Sequence, residues 1–496
     1  MTSRNAAILA ALLAAAAPAG AAKPDRSLDA ALRAHVATLA SDEYGGREPG
    51  TEGETLTLRY LAREWFGIGL VSGTNDPGNP WFAPVTLVER VPSRSFAAFH
   101  RNRRALALPA EGVLVLTSAP RQLVENAPLL FLGRVAGAVP ERAELAGRIA
   151  VVLDRSAPGS ETPDPTSRAD RLIEAGAAAV LTVLDGERSL DEIAARRARA
   201  GYALAGDDLG GDLEAFVTPA YAAKLFGPDW AALVKSADAG LPHPRSLPLT
   251  ATLEATTLET RIATHNLIGK LPGRDPPAGA VLLLAHWDHF GKCAEPPAED
   301  LICNGAIDNA SGLAVLTEAA RILAKGKKLD RDVYFLATTG EELGLLGAYA
   351  FVENPPLPLE SIVAAFNIDS PAIGPAGLPA TIVGHGLTPL DDDIAKAAKT
   401  LKLRIVASPA AESFLRRQDG WALLQHDVPA VMVGSNYSDA ARVERFMEQT
   451  YHRPTDEYAP TLDLSGAAED VRLQVALVRW FAGTRTFSPR RLPSKN

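Results

Sequence analysis

The chain has 496 residues, more than one compact core commonly holds, so two domains are expected. Hydrophobic residues make up 47% and charged residues 22%, a globular balance that excludes a disordered or collagen-like chain. The 50 Lys and Arg against 59 Asp and Glu leave a net charge of -9, which argues against nucleic acid or an anionic membrane as the main partner.

Residues 1–22 read as a secretory signal. Arg4 supplies the positive region, Ala6 to Ala17 an apolar stretch too short to span a bilayer, and Ala19 to Ala22 the small residues of a cleavage site. No Cys lies near that point, so neither a lipid nor a helical membrane anchor is expected. The mature protein is predicted to be exported in soluble form, to the periplasm or outside the cell.

Apolar residues recur at helical spacing over Leu28 to Leu39 and Glu52 to Phe66. Between them, Ser41 to Gly50 reads as a loop, and strand-like sequence follows around Pro84 to Val91. From about Glu111 to Pro248, strands at Ile149 to Leu153 and Ala178 to Val183 bracket a helix at Ser167 to Ala175. That stretch is expected to be a small α/β or β-rich insert without catalytic residues, acting as a lid or spacer.

From Thr264 to Gly483 the pattern alternates between strands and helices, as in an α/β sheet flanked by helices. Strands are predicted at Val281 to Ala285, Val333 to Thr338, Ile362 to Ile368 and Val428 to Val433. Helices are predicted at Ser311 to Ala324, Glu342 to Val352 and Leu462 to Phe481. The predicted division is a signal at 1–22 and the amino-terminal part of the main domain at 23–110. The insert follows at 111–248, the catalytic domain at 249–485 and a tail at 486–496.

The chemically loaded residues stand just past the carboxyl ends of these strands, where ligands bind in open α/β sheets. His286 and Asp288 follow the first, Glu341 and Glu342 the second, and Asp369 the third. Asp308 precedes a helix and His452 lies in a polar loop. Imidazole and carboxylate donors suit zinc, and this set exceeds the needs of one ion. It would serve two ions about 3.5–4 Å apart that share a carboxylate. Another divalent ion would tolerate the same donors. Asp288 is placed to orient the His286 ring. Of Glu341 and Glu342, one can bind metal while the other acts as a base, because adjacent side chains point apart. Cys293 and Cys303, the only cysteines, are expected to form a disulfide bracing the loop between two ligands; two thiols at this spacing are a weaker fit to zinc.

The strings Ala285-His-Trp-Asp-His-Phe-Gly291, Asn304-Gly-Ala-Ile-Asp-Asn-Ala-Ser-Gly312 and Thr339-Gly-Glu-Glu-Leu-Gly344 resemble the co-catalytic zinc exopeptidases. Asn367-Ile-Asp369 and Tyr451-His-Arg-Pro-Thr-Asp456 match that family's remaining motifs in order. Ser41 to Gly53 looks like its amino-terminal segment, and the insert is similar to a protease-associated domain. The resemblance implies a three-layer α/β/α sandwich with a mixed central sheet, plus that β-rich insert. It implies one zinc on His286 and Asp369, the other on Glu342 and His452, Asp308 bridging, and Glu341 as general base. A peptide substrate is implied, with cleavage from the amino end favoured over a carboxypeptidase or dipeptidase. Two departures affect the pocket: Gly420 stands where many relatives carry His, and Ser370-Pro371 follows Asp369.

His35, His100, His243, His265 and His426 are read as surface or core residues; His289 and His385 lie near the proposed edge. Asp308, Glu341 and Glu342 would also serve as acids at helix starts. Two other function classes share the fold. Glutaminyl cyclase-like acyl transfer uses one zinc, and receptor-like binding proteins lose ligands, whereas this chain keeps the full set.

Overall fold

All seven residues of the strand Ala280–His286 are buried, so both faces of the sheet around it are covered. The computed structural model describes residues 26–134, 139–154, 165–199, 201–206, 212–239 and 244–489. The predicted signal and the end of the predicted tail lie outside them. The described chain divides into two compact units. The first comprises 26–83, 267–338 and 351–489, and the second 84–266 and 339–350.

In the first unit, Ala280–His286 pairs in parallel with Asp332–Thr338 on one side and Ile362–Asn367 on the other. Ala430–Gly434 continues the parallel run, and Thr381–Val383 closes that edge antiparallel. At the other edge, residues 267–271 of the long strand Arg245–Leu271 pair antiparallel with Asp332–Thr338. Successive strands thus leave Ala280–His286 in opposite directions. This is the topological switch point, where connecting loops part and leave a crevice at the carboxyl edge. Helix Gly312–Ala324 packs against Arg26–Leu39, Glu52–Ile68 and Ser465–Phe481. Its Leu313, Leu316 and Leu323 join Val281, Leu283, Phe335 and Phe366 in one core. The sheet is mixed, as the sequence implies.

Within the second unit the strands run in the order 245–266, Arg121–Arg134, Ile149–Leu153, Ala179–Val183, Leu213–Val217, Val113–Thr117. Its inner pairs are parallel and its borders antiparallel, around a separate core that includes Val151, Leu181, Ala215 and Leu253. The sequence led us to expect 84–110 and 249–266 with the main domain, but contacts place both stretches in this unit. The strand-like patch around Pro84 proves to be a 20-residue strand, Phe82–Arg101, which pairs with Tyr202–Leu204.

Helix Ser465–Phe481 carries a buried carboxyl, Asp470, which accepts from the Ser435 amide and hydroxyl, both at 3.2 Å. Burial pushes it up to about 7. A raised carboxyl favours the protonated folded state. Its contribution to stability is therefore full below the unfolded value near 4 and is lost as pH rises to about 7. Asp470→Asn is always neutral. It should gain on the parent by about 1 kcal/mol or more between pH 5 and pH 8, since one pKa unit is worth about 1.4 kcal/mol. Urea unfolding at the two pH values measures this, and a constant difference would contradict it.

Candidate metal centre

His286 ends the central strand at the switch point, where its register partner is Thr338. Its Nε2 faces Asp308 Oδ1 at 3.2 Å and Asp369 Oδ1 at 3.7 Å. The other Asp308 oxygen, Oδ2, faces His452 Nε2 at 3.5 Å. One buried carboxylate therefore presents its two oxygens to two imidazoles from different loops. His286, Asp308 and Asp369 offer donor atoms within 4.8 Å of one another. His289 is buried beside them, its ring centroid 5.8 Å from that of His452.

Burial alone would raise the Asp308 carboxyl, but the His286 and His452 imidazoles hold it well below the usual range. Burial raises Asp369 and the neighbouring Asp308 charge adds to this, with His286 opposing. Asp419 is pushed up to about 7, chiefly by burial, with Asp288 and Asp369 adding to it. So many buried carboxyls around so little positive charge are costly to ionise without a cation. A divalent ion would supply that charge, and the oxygen and imidazole donors are the ligands zinc takes. The residues fit the metal.

The loops are held by their own polar side chains. Asn309 donates to Ile368 O at 3.0 Å and accepts from Ser370 N at 3.2 Å, which ties the Asp308 loop to the Asp369 loop. Asn436 donates to Asp369 O at 2.8 Å, and Ser370 Oγ to Asp369 Oδ1 at 2.9 Å. Asp456 accepts from the amides of Ile307 at 2.8 Å and Asp308 at 3.0 Å, fixing the backbone that presents the shared carboxylate. Sequence reasoning quoted Asp456 only as part of the His452 motif. Asp419, next to the Gly420 departure, is buried and hydrogen-bonded by the Thr338 hydroxyl.

Asp288 is fully buried; its main-chain oxygen lies 3.2 Å from His286 Nδ1 and its carboxylate 3.9 Å away. The main-chain oxygen is the atom within hydrogen-bond reach of that ring nitrogen. Cys293 and Cys303 form the expected disulfide, in the loop between His286 and Asp308. His385 is exposed, near Asp391, and among the described residues falls in none of the groups that could hold a metal. At Gly420 a side chain would first meet only the end of the Gln418 side chain. A Cβ there would stand 2.7 Å from Gln418 Oε1, which accepts from the Gly420 amide.

Glu341 and Glu342 fall in the second unit, three and four residues past the end of Asp332–Thr338. The helix expected from Glu342 starts only at Leu346. Gly340, Gly344 and Leu345 all have positive φ (61°, 115° and 62°), which breaks the helical path and leaves both glutamates in a turn. Asn266 brackets this turn, accepting from Thr339 N at 2.9 Å and donating to Gly347 O at 2.8 Å. Leu346 packs with Val85, Leu87 and Leu204. Within the second unit, this packing and the Asn266 hydrogen bonds hold the turn that carries the two glutamates.

Sheet order, switch point and buried His–Asp cluster define an α/β domain of the zinc-exopeptidase type. Residues 266–476 match the model of peptidase family M28. A 106-residue segment is 35% identical to aminopeptidase YwaD of Bacillus subtilis, covering 21% of this chain and 20% of that protein. A 101-residue segment is 31% identical to a vacuolar membrane protease of Candida dubliniensis, covering 20% and 10%. The chain thus aligns with well under two thirds of these relatives' length. The fold resembles the solved aminopeptidase from Aneurinibacillus sp. strain AM-1, with a TM-score of 0.54, 17% identity, and 94% and 96% of the two chains covered.

Proposed function

We propose that this protein is an exported, zinc-dependent exopeptidase that removes residues from the amino end of peptides. The observation that carries the reading is the Asp308 carboxylate, one oxygen toward His286 and the other toward His452. That is the arrangement a shared ligand of two metal ions requires. His286 and Asp369 would hold one zinc, Glu342 and His452 the other, with Asp308 common to both. When bound, the ions supply Lewis acidity toward the scissile carbonyl and lower the pKa of water.

The chain's own residues do the rest. Glu341, the neighbour of a ligand, takes the proton from the attacking water and returns it to the leaving amine. A free substrate amine held beside the centre would restrict cleavage to chain ends. Ser370 and Asn436 fix Asp369 in place. The names of the similar aminopeptidases support the amino-terminal direction. Among the described residues no helix is long and apolar enough to cross a membrane.

The test is hydrolysis of aminoacyl p-nitroanilides beside amino-blocked peptides with free carboxyl ends, before and after chelation. Cleavage of the free-amine set, lost on chelation and restored by zinc, is expected. Cleavage of the blocked peptides alone would move the enzyme to the carboxypeptidase branch.

A further inference from the structure

The turn Gly45-Gly46-Arg47 runs through three consecutive positive φ angles, 53°, 67° and 51°. Glycine adopts that region freely, whereas Arg47 is held there against its preference. Gly46 is pressed against the disulfide loop, where a Cβ would lie 2.5 Å from Cys303 O. The Arg47 side chain is fully buried. Its Nε donates to Trp287 O at 2.9 Å, and its Nη1 to Leu39 O at 2.9 Å and Asn304 O at 2.5 Å. Its Nη2 donates to Gly305 O at 3.0 Å.

Those acceptors are not scattered. Trp287 lies between His286 and Asp288, and Asn304-Gly305 opens the loop that delivers Asp308. Gly305 itself is too tightly held for a side chain: a Cβ would stand 2.0 Å from Asp308 O and 2.8 Å from Arg47 Nη2. One rigid guanidinium fork therefore bridges the backbones of two ligand loops. A lysine ammonium offers three donors from one point and cannot reach acceptors spread along a planar fork.

We infer that Arg47 is a positioning residue that sets the separation of the His286 and Asp308 loops before any metal arrives, an inference that rests on the proposed reading of the site. The guanidinium draws the carbonyls of residues 287, 304 and 305 to one centre, so that the His286 imidazole and the Asp308 carboxylate are preorganised. Loss of such a support commonly weakens metal binding about 10–100-fold.

The test uses the full-length chain with Arg47→Lys and, separately, Arg47→Gln, which leaves no unpaired buried charge. Hydrogen exchange of the metal-free proteins reads the clamp directly. Peptides spanning 286–291 and 304–309 should exchange about tenfold faster or more, while Ile149–Leu153 of the second unit stays as in the parent. Titration with zinc chloride against a chromophoric chelator should show affinity weakened about 10–100-fold, and activity should recover as zinc is raised. Unchanged exchange at both loops, or an increase spread evenly over the whole first unit, would overturn the inference. If the parent binds no zinc, the proposed chemistry fails, and the exchange at the two loops still decides whether Arg47 clamps them.

Discussion

Glu341→Gln should lower kcat/KM on aminoacyl amides by about 10²–10⁴, the range general-base catalysis contributes, while the zinc content stays that of the parent. The amide keeps the size of the side chain and removes its capacity to take a proton. The turn is bedded by Leu346 against Leu87 and Leu204 and bracketed by Asn266, none of which touches the carboxylate's chemistry. The fold and the metal site should therefore survive the change. The measurement is steady-state kinetics with metal analysis on the same sample. A loss of zinc together with activity would make Glu341 a ligand and hand the base role to Glu342.

Asp308→Asn should be more severe, because it alters both halves of the centre at once. Asp308 presents one oxygen to each imidazole and is kept ionised by them despite complete burial. An amide has one oxygen, so one imidazole would face an NH₂ group, which repels a cation. Metal ions supply several kcal/mol of transition-state stabilisation, so activity should fall on the order of 10³-fold or more. Circular dichroism of the metal-free variant should match the parent, since Asp456 still holds the backbone amides of residues 307 and 308. A variant that keeps both metals and most of its activity would show that Asp308 is not shared.

The parts of this architecture that were legible in sequence share one physical cause. Strands buried on both faces must be apolar throughout. Val281 to Ala285, Val333 to Thr338 and Ile362 to Ile368 announced themselves, and with them the edge where His286 and Asp369 stand. The proposed shared-carboxylate role of Asp308 came from resemblance and could not be read from spacing. The helix expected at Glu342 was misplaced because its apolar spacing continues through Leu343 and Leu345, while the backbone at Gly340, Gly344 and Leu345 turns left-handed. Strand Phe82–Arg101 was cut short because Ser93, Arg94, Ser95 and Phe96 are exposed in succession, so no two-residue alternation marks them as strand. Arg47 was invisible for a different reason. Its acceptors are main-chain oxygens, and a carbonyl leaves no mark on the identity of the residue that carries it.

If one carboxylate joins two metal ions, metal stoichiometry reports it. Purified protein, stripped by chelation and titrated with zinc, should bind two ions per chain by elemental analysis, with the pair lost together in Asp308→Asn. One ion per chain in the parent, or none, would contradict the account.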